Sequence, residues 1–222
     1  MLASSRFNRL PAAERGITIG DFLVPIRVGE RLSSRARHVA LVVAGTLIIF
    51  LAAQISIPIP NNPVPITGSV FGVLLVGGAL GFRRGLLATL LYVAIGIAGY
   101  PVFAEHKGGM AVVATITDGH LVLGARGGYL MGFVLASALV GRLAELGWDR
   151  HIGGSLAAMI LGVVVIYLVG VPWLMAAAGL SLADGIAKGL TPFLAWDAIK
   201  IALAAGLFPA AWWVVGQRPD ER

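Results

Sequence analysis

The chain has no cysteine among its 222 residues, which excludes thiolate nucleophiles, cysteine metal clusters and disulfides. Charge is also scarce. Asp, Glu, Lys and Arg make up 13% of the residues, against roughly 25% in an ordinary soluble domain. The four histidines, His38, His106, His120 and His151, are scattered, with no His-x-x-x-His pair. They read as structural or solvated side chains rather than metal ligands. Neither a Gly-x-Ser-x-Gly elbow nor a Gly-x-x-x-x-Gly-Lys-Ser/Thr loop occurs. A serine nucleophile is therefore unsupported, and the chain cannot energise transport by its own nucleotide hydrolysis. No cofactor or metal is expected in it. Residues 1–37 lack a sustained apolar segment, so no cleavable signal peptide is expected.

What the chain does have is apolar surface. Hydrophobic residues make up 58% of it, glycine occurs 30 times, and mean hydropathy is +0.88. A soluble core of this size would lack the polar residues to cover itself. The composition predicts an all-α, polytopic membrane protein with six transmembrane helices. The net charge of +6 does not imply nucleic acid, because the cations flank apolar runs rather than forming one face.

In chain order, residues 1–37 carry seven arginines and read as a solvated or membrane-surface cytoplasmic tail, partly helical. A six-helix membrane domain is expected over 38–216 and a short cytoplasmic tail over 217–222. The first span covers about 38–57, close to the ~20 residues a bilayer requires. Pro58, Pro60, Pro63 and Pro65 then force a short extended connection. Spans over about 67–80 and 85–99 flank a tight basic turn at Phe82-Arg83-Arg84. Residues 101–126 form a loop too long for a hairpin turn, of the kind that is usually functional or disordered. A fourth span over 127–146 leads through a charged turn to a fifth over 155–180, where Pro172 should introduce a kink. Residues 181–188 read as a polar turn before a sixth span over 190–215.

Lys and Arg counts orient the chain. With the N-terminus inside, 13 cations fall in or beside the tail, the 81–84 and 147–154 turns and the C-terminus. The opposite side holds only Lys107, Arg126, Lys188 and Lys200. This positive-inside bias puts both termini in the cytoplasm. It gathers the proline connection, the 101–126 loop and the start of the last helix on the outer side.

Asp197 and Lys200 stand three residues apart in an apolar run, on one face if that run is helical. Charges within a membrane must face protein, water or a ligand. They could bind a polar solute, act as a proton relay, or form an ion pair stitching helices together. Arg126 supplies a further cation or snorkels to the interface. Tyr129, Trp173 and Trp196 could wall a pocket or belong to an aromatic belt.

Several fragments, taken in order, resemble a known family. They are Ile57-Pro58-Ile59-Pro60 with Val64-Pro65-Ile66-Thr67, Gly81 through Tyr100-Pro101-Val102-Phe103-Ala104, and Gly127-Gly128-Tyr129-Leu130-Met131-Gly132-Phe133. Gly170-Val171-Pro172-Trp173-Leu174 and Pro192-Phe193-Leu194 before Asp197-x-x-Lys200 complete the set. Over residues 38–215 the chain is similar to BioY, the biotin-binding S component of energy-coupling-factor (ECF) vitamin transporters. The resemblance implies a prokaryotic plasma-membrane protein, not an enzyme, that binds biotin at its outer face. Its implied partners are a transmembrane coupling subunit and two ATPase subunits, which use the ATP. It implies a substrate site at Asp197, Lys200, Gly127, Gly128 and Tyr129; Thr67, Arg126 and Trp196 are further candidates beside it, Arg126 without support from the family pattern. Ala40 and Ala44 match its small-residue pattern for docking the coupling subunit. The chain departs from the family at Ala195-Trp196, where Pro-Gly is usual, and at Ala125-Arg126, where Pro-Thr is usual. Gly68-Ser69 also replaces a pair ending in Gln, and the 104–126 loop is longer. Another vitamin-like ligand, a proton-coupled solo carrier and a homo-oligomer stay open.

Overall fold

The computed structural model describes residues 18–23 and 33–216; the rest of the expected 1–37 tail and the 217–222 tail lie outside the described residues. The elements run α1 (Gly20–Leu23), α2 (Ser34–Gln54), β1 (Ser56–Ile57), β2 (Ile66–Thr67) and α3 (Ser69–Ile97). They continue with β3 (Ala114–Thr117), β4 (His120–Leu123), α4 (Gly127–Glu145), α5 (Ile152–Ala178), α6 (Leu182–Gly189) and α7 (Leu194–Gly216). The protein is thus mainly helical. Among the described residues, five stretches are long and apolar enough to cross a membrane: Ser34–Gln54, Ser69–Ile97, Gly127–Glu145, Ile152–Ala178 and Leu182–Val214.

The expected second and third spans share one of these stretches, α3. The two spans expected on either side of a turn at 82–84 form one 29-residue element whose non-helical residue is Gly81, at φ 81° and ψ −179°. That backbone region is open essentially to glycine alone. A Cβ added to Gly85 would lie 2.9 Å from the Cα of Gly77. Residues eight apart along a straight helix are about 12 Å apart, so the chain doubles back at Gly81. Phe82 to Arg84 already belong to the returning arm. Bare backbone permits this approach, and a Cβ added to Gly77 would also meet the Ser137 carbonyl of α4 at 2.7 Å.

Two other expectations change. The 101–126 loop contains a β-hairpin, β3 against β4, turning at Asp118 (φ 52°) and Gly119 (φ 79°). Residues 181–188 form helix α6 rather than a turn, capped by Ser181, whose hydroxyl accepts the Asp184 N–H at 3.1 Å. Pro172 lies inside a single continuous helix, α5.

The bundle has two distinct ends. At one, Thr18 and Ile19 are buried, and Gly20 packs on the Ala79 carbonyl next to the α3 reversal. Asp21 accepts from Arg84 at 2.7 Å and Arg37 at 3.1 Å. Burial alone would push the Asp21 carboxyl up, but the Thr18 N–H and Arg84 hold it below the usual range. The Phe82 N–H donates to Glu145 at 2.9 Å. The Trp212 indole donates to buried Asp149 at 2.7 Å, with the Arg150 guanidinium 4.5 Å above its ring. At the other end, the proline connection, the 101–126 segment and α6 converge over a cavity.

Candidate functional site

The proline connection is an antiparallel pair, with Ser56 opposite Thr67 and Ile57 opposite Ile66. Asn62 folds its tip by accepting the Val64 N–H at 3.0 Å, and donates to the Lys188 carbonyl of α6 at 2.7 Å. The 101–107 segment is anchored by Phe103, whose ring lies against Gly96 and edge-on to Tyr92, 5.5 Å between centroids. Trp173 of α5 holds the end of the β-hairpin, donating to the Gly124 carbonyl at 2.9 Å. These three segments roof a mainly apolar cavity with an open mouth.

Thr67, Arg126, Tyr129, Asp197 and Lys200 all line this cavity. Asp197 is 2% exposed. One of its oxygens accepts from Lys200 Nζ at 2.9 Å, and the other accepts from the Tyr167 hydroxyl of α5. The ion pair is therefore internal to α7, and Tyr167 makes the bond that joins two helices. Tyr129 stacks on Gly170, and its hydroxyl donates to the Gly189 carbonyl at 2.7 Å, tying α4 to α6. Arg126 precedes α4 and donates to the Pro63 carbonyl at 3.0 Å, the Ala104 carbonyl at 3.3 Å and the Glu105 carboxylate. That pairing holds the Glu105 carboxyl below the usual range.

Three residues singled out from the sequence do not reach the cavity. Trp196 is 45% exposed and faces away from it. Gly127 and Gly128 pack against the Trp173 ring, where a Cβ on Gly128 would meet Trp173 Cβ at 2.2 Å. They set the α4–α5 approach. Ala40 and Ala44 lie on an exposed apolar face of α2 with Val39, Val43 and Leu47. Sequence reasoning missed Tyr167, Tyr92, Phe103 and Phe193, which also line the cavity. Aromatic residues in apolar runs read as core, and only their convergence marks them. No metal-binding cluster occurs among the described residues.

The cavity can take a small, largely apolar solute and offers it one buried acid–base pair. A profile of the BioY family matches residues 27–217. The chain belongs to the BioY family. Among similar proteins, the biotin transporter BioY of Thermotoga maritima is 38% identical, the match covering 72% of this chain and 86% of that one. The probable biotin transporter BioY of Pyrococcus horikoshii is 35% identical, over 77% and 93% respectively. The fold is similar to the crystal structure of the S-component for biotin from an ECF-type ABC transporter, at TM-score 0.70 and 25% identity, covering 81% of this chain and 93% of that one. Like other BioY members, the chain is a multi-pass membrane protein.

Proposed function

We propose that this chain is the biotin-binding S component of an ECF-type uptake transporter and has no enzymatic role. The observation that carries this reading is the placement of Asp197 and Lys200 inside a roofed apolar cavity, in a chain of the BioY family. A ureido ring offers N–H donors and a carbonyl acceptor. Asp197 would accept the former and Lys200 would donate to the latter. Tyr167 sets the carboxylate's orientation. Val64, Val70, Tyr129 and Phe133 would cover the thioether ring and chain, with Thr67 at the polar edge. In a dry site these polar contacts strengthen.

Both arms of α3 would cross the membrane, giving six crossings with both termini in the cytoplasm and the roofed end outward. The distribution of Lys and Arg supports this orientation. Residues 38–216 would form the membrane domain, flanked by the two tails. The exposed face carrying Ala40 and Ala44 would dock the coupling subunit, with ATP hydrolysed by two ATPase partners.

Purified protein should bind radiolabelled biotin, and Asp197→Asn and Lys200→Ala should each weaken binding by at least roughly tenfold, the value of a buried charge-assisted hydrogen bond. Competition by unlabelled vitamins tests selectivity. Unchanged affinity in both variants would sink the assignment. Uptake by vesicles that requires ATP and the coupling module, rather than a pH gradient, separates this function from a solo proton-coupled carrier.

A further inference from the structure

Arg126 stands between two spaces. It lines the main cavity, and it also lines an outer groove together with Asn62, Glu105, Lys107 and Gly108. Glu105 and Lys107 line the groove alone. Arg126 thus borders both spaces, and on the groove side its guanidinium is held by a protein carboxylate. We propose that Glu105 is a specificity-determining residue, competing with the carboxylate of an acidic ligand for Arg126. This inference rests on the reading of the cavity as a biotin site.

Three features carry it. First, Arg126 keeps its place without Glu105, because the Pro63 and Ala104 carbonyls take two of its donors. Second, the pair is asymmetric: the Arg126 side chain is 15% exposed and that of Glu105 29%. The more buried cation needs an anion at all times, whereas the carboxylate can return to water. Glu105 also has a second cation in reserve, since Lys107 Nζ lies 3.2 Å away and is 53% exposed. Third, Glu105 and His106 hold left-handed backbone, at φ 61° and 54°, a conformation that L-residues rarely adopt. Phe103 and Lys107 are bridged on either side of them. A Glu105 side chain turned toward Lys107 and the groove would leave the roof anchored by this bridge. Two carboxylates crowded on one guanidinium would repel each other, so a ligand acid displaces Glu105 rather than joining it.

The measurement is the ratio of dissociation constants for biotinamide and biotin, which differ in the charge of the tail. In the unaltered protein, displacement of Glu105 offsets part of the benefit of the Arg126 contact. Glu105→Gln should raise the preference for biotin by roughly tenfold. Glu105→Asp, which keeps the charge on a shorter arm, should fall between the two and serves if the Gln variant does not fold. Arg126→Gln should bring the ratio close to one. An unmoved ratio in both Glu105 variants, or an equal loss of affinity for both ligands, overturns the inference while leaving biotin binding intact. Absence of biotin binding by the unaltered protein instead overturns the functional reading, and this inference with it.

Discussion

Asp197 shows how much one buried carboxylate constrains its surroundings. Both its oxygens are engaged, by Lys200 within α7 and by Tyr167 across from α5. Removing one member of such a pair strands the other charge, which typically costs about 3–5 kcal/mol, whereas replacing both with neutral groups costs far less. Lys200→Met should therefore lower the thermal midpoint in detergent sharply. The Asp197→Asn/Lys200→Met double variant should recover most of the stability but none of the biotin binding. Recovery of both would reduce the pair to a structural device. Tyr167→Phe removes the bond between α5 and α7 and leaves Asp197 with one partner, so it should weaken biotin binding by several-fold and lower stability by roughly 1–3 kcal/mol. Equal affinity in that variant would contradict a positioning role for Tyr167. The two charges were legible in the sequence because charge in an apolar run has few benign explanations. Trp196 stands outside the cavity for a geometric reason. Successive helical residues point about 100° apart, so the neighbour of a cavity residue faces elsewhere. Tyr167 was not legible, since nothing distinguishes it from core until α7 places Asp197 opposite.

The reversal at Gly81 is the most exposed decision at the level of elements. Its backbone is closed to other residues, and an added Cβ would meet the Glu145 carboxylate and Thr18, each at 2.9 Å. Gly81→Ala should lower stability by roughly 1–3 kcal/mol, seen as a reduced midpoint in thermal unfolding. A control at Gly153, with nothing within 4 Å of an added Cβ, should change it little. A Gly81→Ala midpoint equal to that of the parent would mean that the two arms do not fold back there. Two element signals were present in the sequence and could have been read. Asp118-Gly119 between apolar and β-branched runs is a strong hairpin signal, and Ser181-x-x-Asp184 is a capping pattern. Both lie in stretches whose polarity suggests loop, and polarity outweighed the local pattern.

The whole molecule is closed at its two ends by different means. At the end opposite the cavity, burial pushes the Asp149 carboxyl up to about 6, only partly opposed by the Trp212 N–H and the charge of Arg150. A carboxyl that holds its proton more tightly when folded adds stability as pH falls from above 6 toward the ordinary 3.8, and loses it as pH rises through about 6. Asp21 and Glu105 are held low, so their contributions are lost only at more acidic pH. Stability should therefore be higher near about pH 5 than near about pH 7.5, by roughly 1 kcal/mol. Asp149→Asn should flatten this difference while keeping an acceptor for Trp212. Thermal unfolding across that range is the check, and a slope that persists in the Asn variant would assign it elsewhere. The sequence alone determined that the chain is a helical membrane protein, because composition decides which solvent a surface can face. It also showed where the charge lies and which family the motifs resemble. Only the tertiary structure decided that the reversal in α3 falls at Gly81, that Arg126 is shared between a cavity and a groove, and that Gly127, Gly128 and Trp196 stand outside the cavity. Those outcomes depend on which faces of distant segments meet, and hydropathy and local spacing carry no record of that.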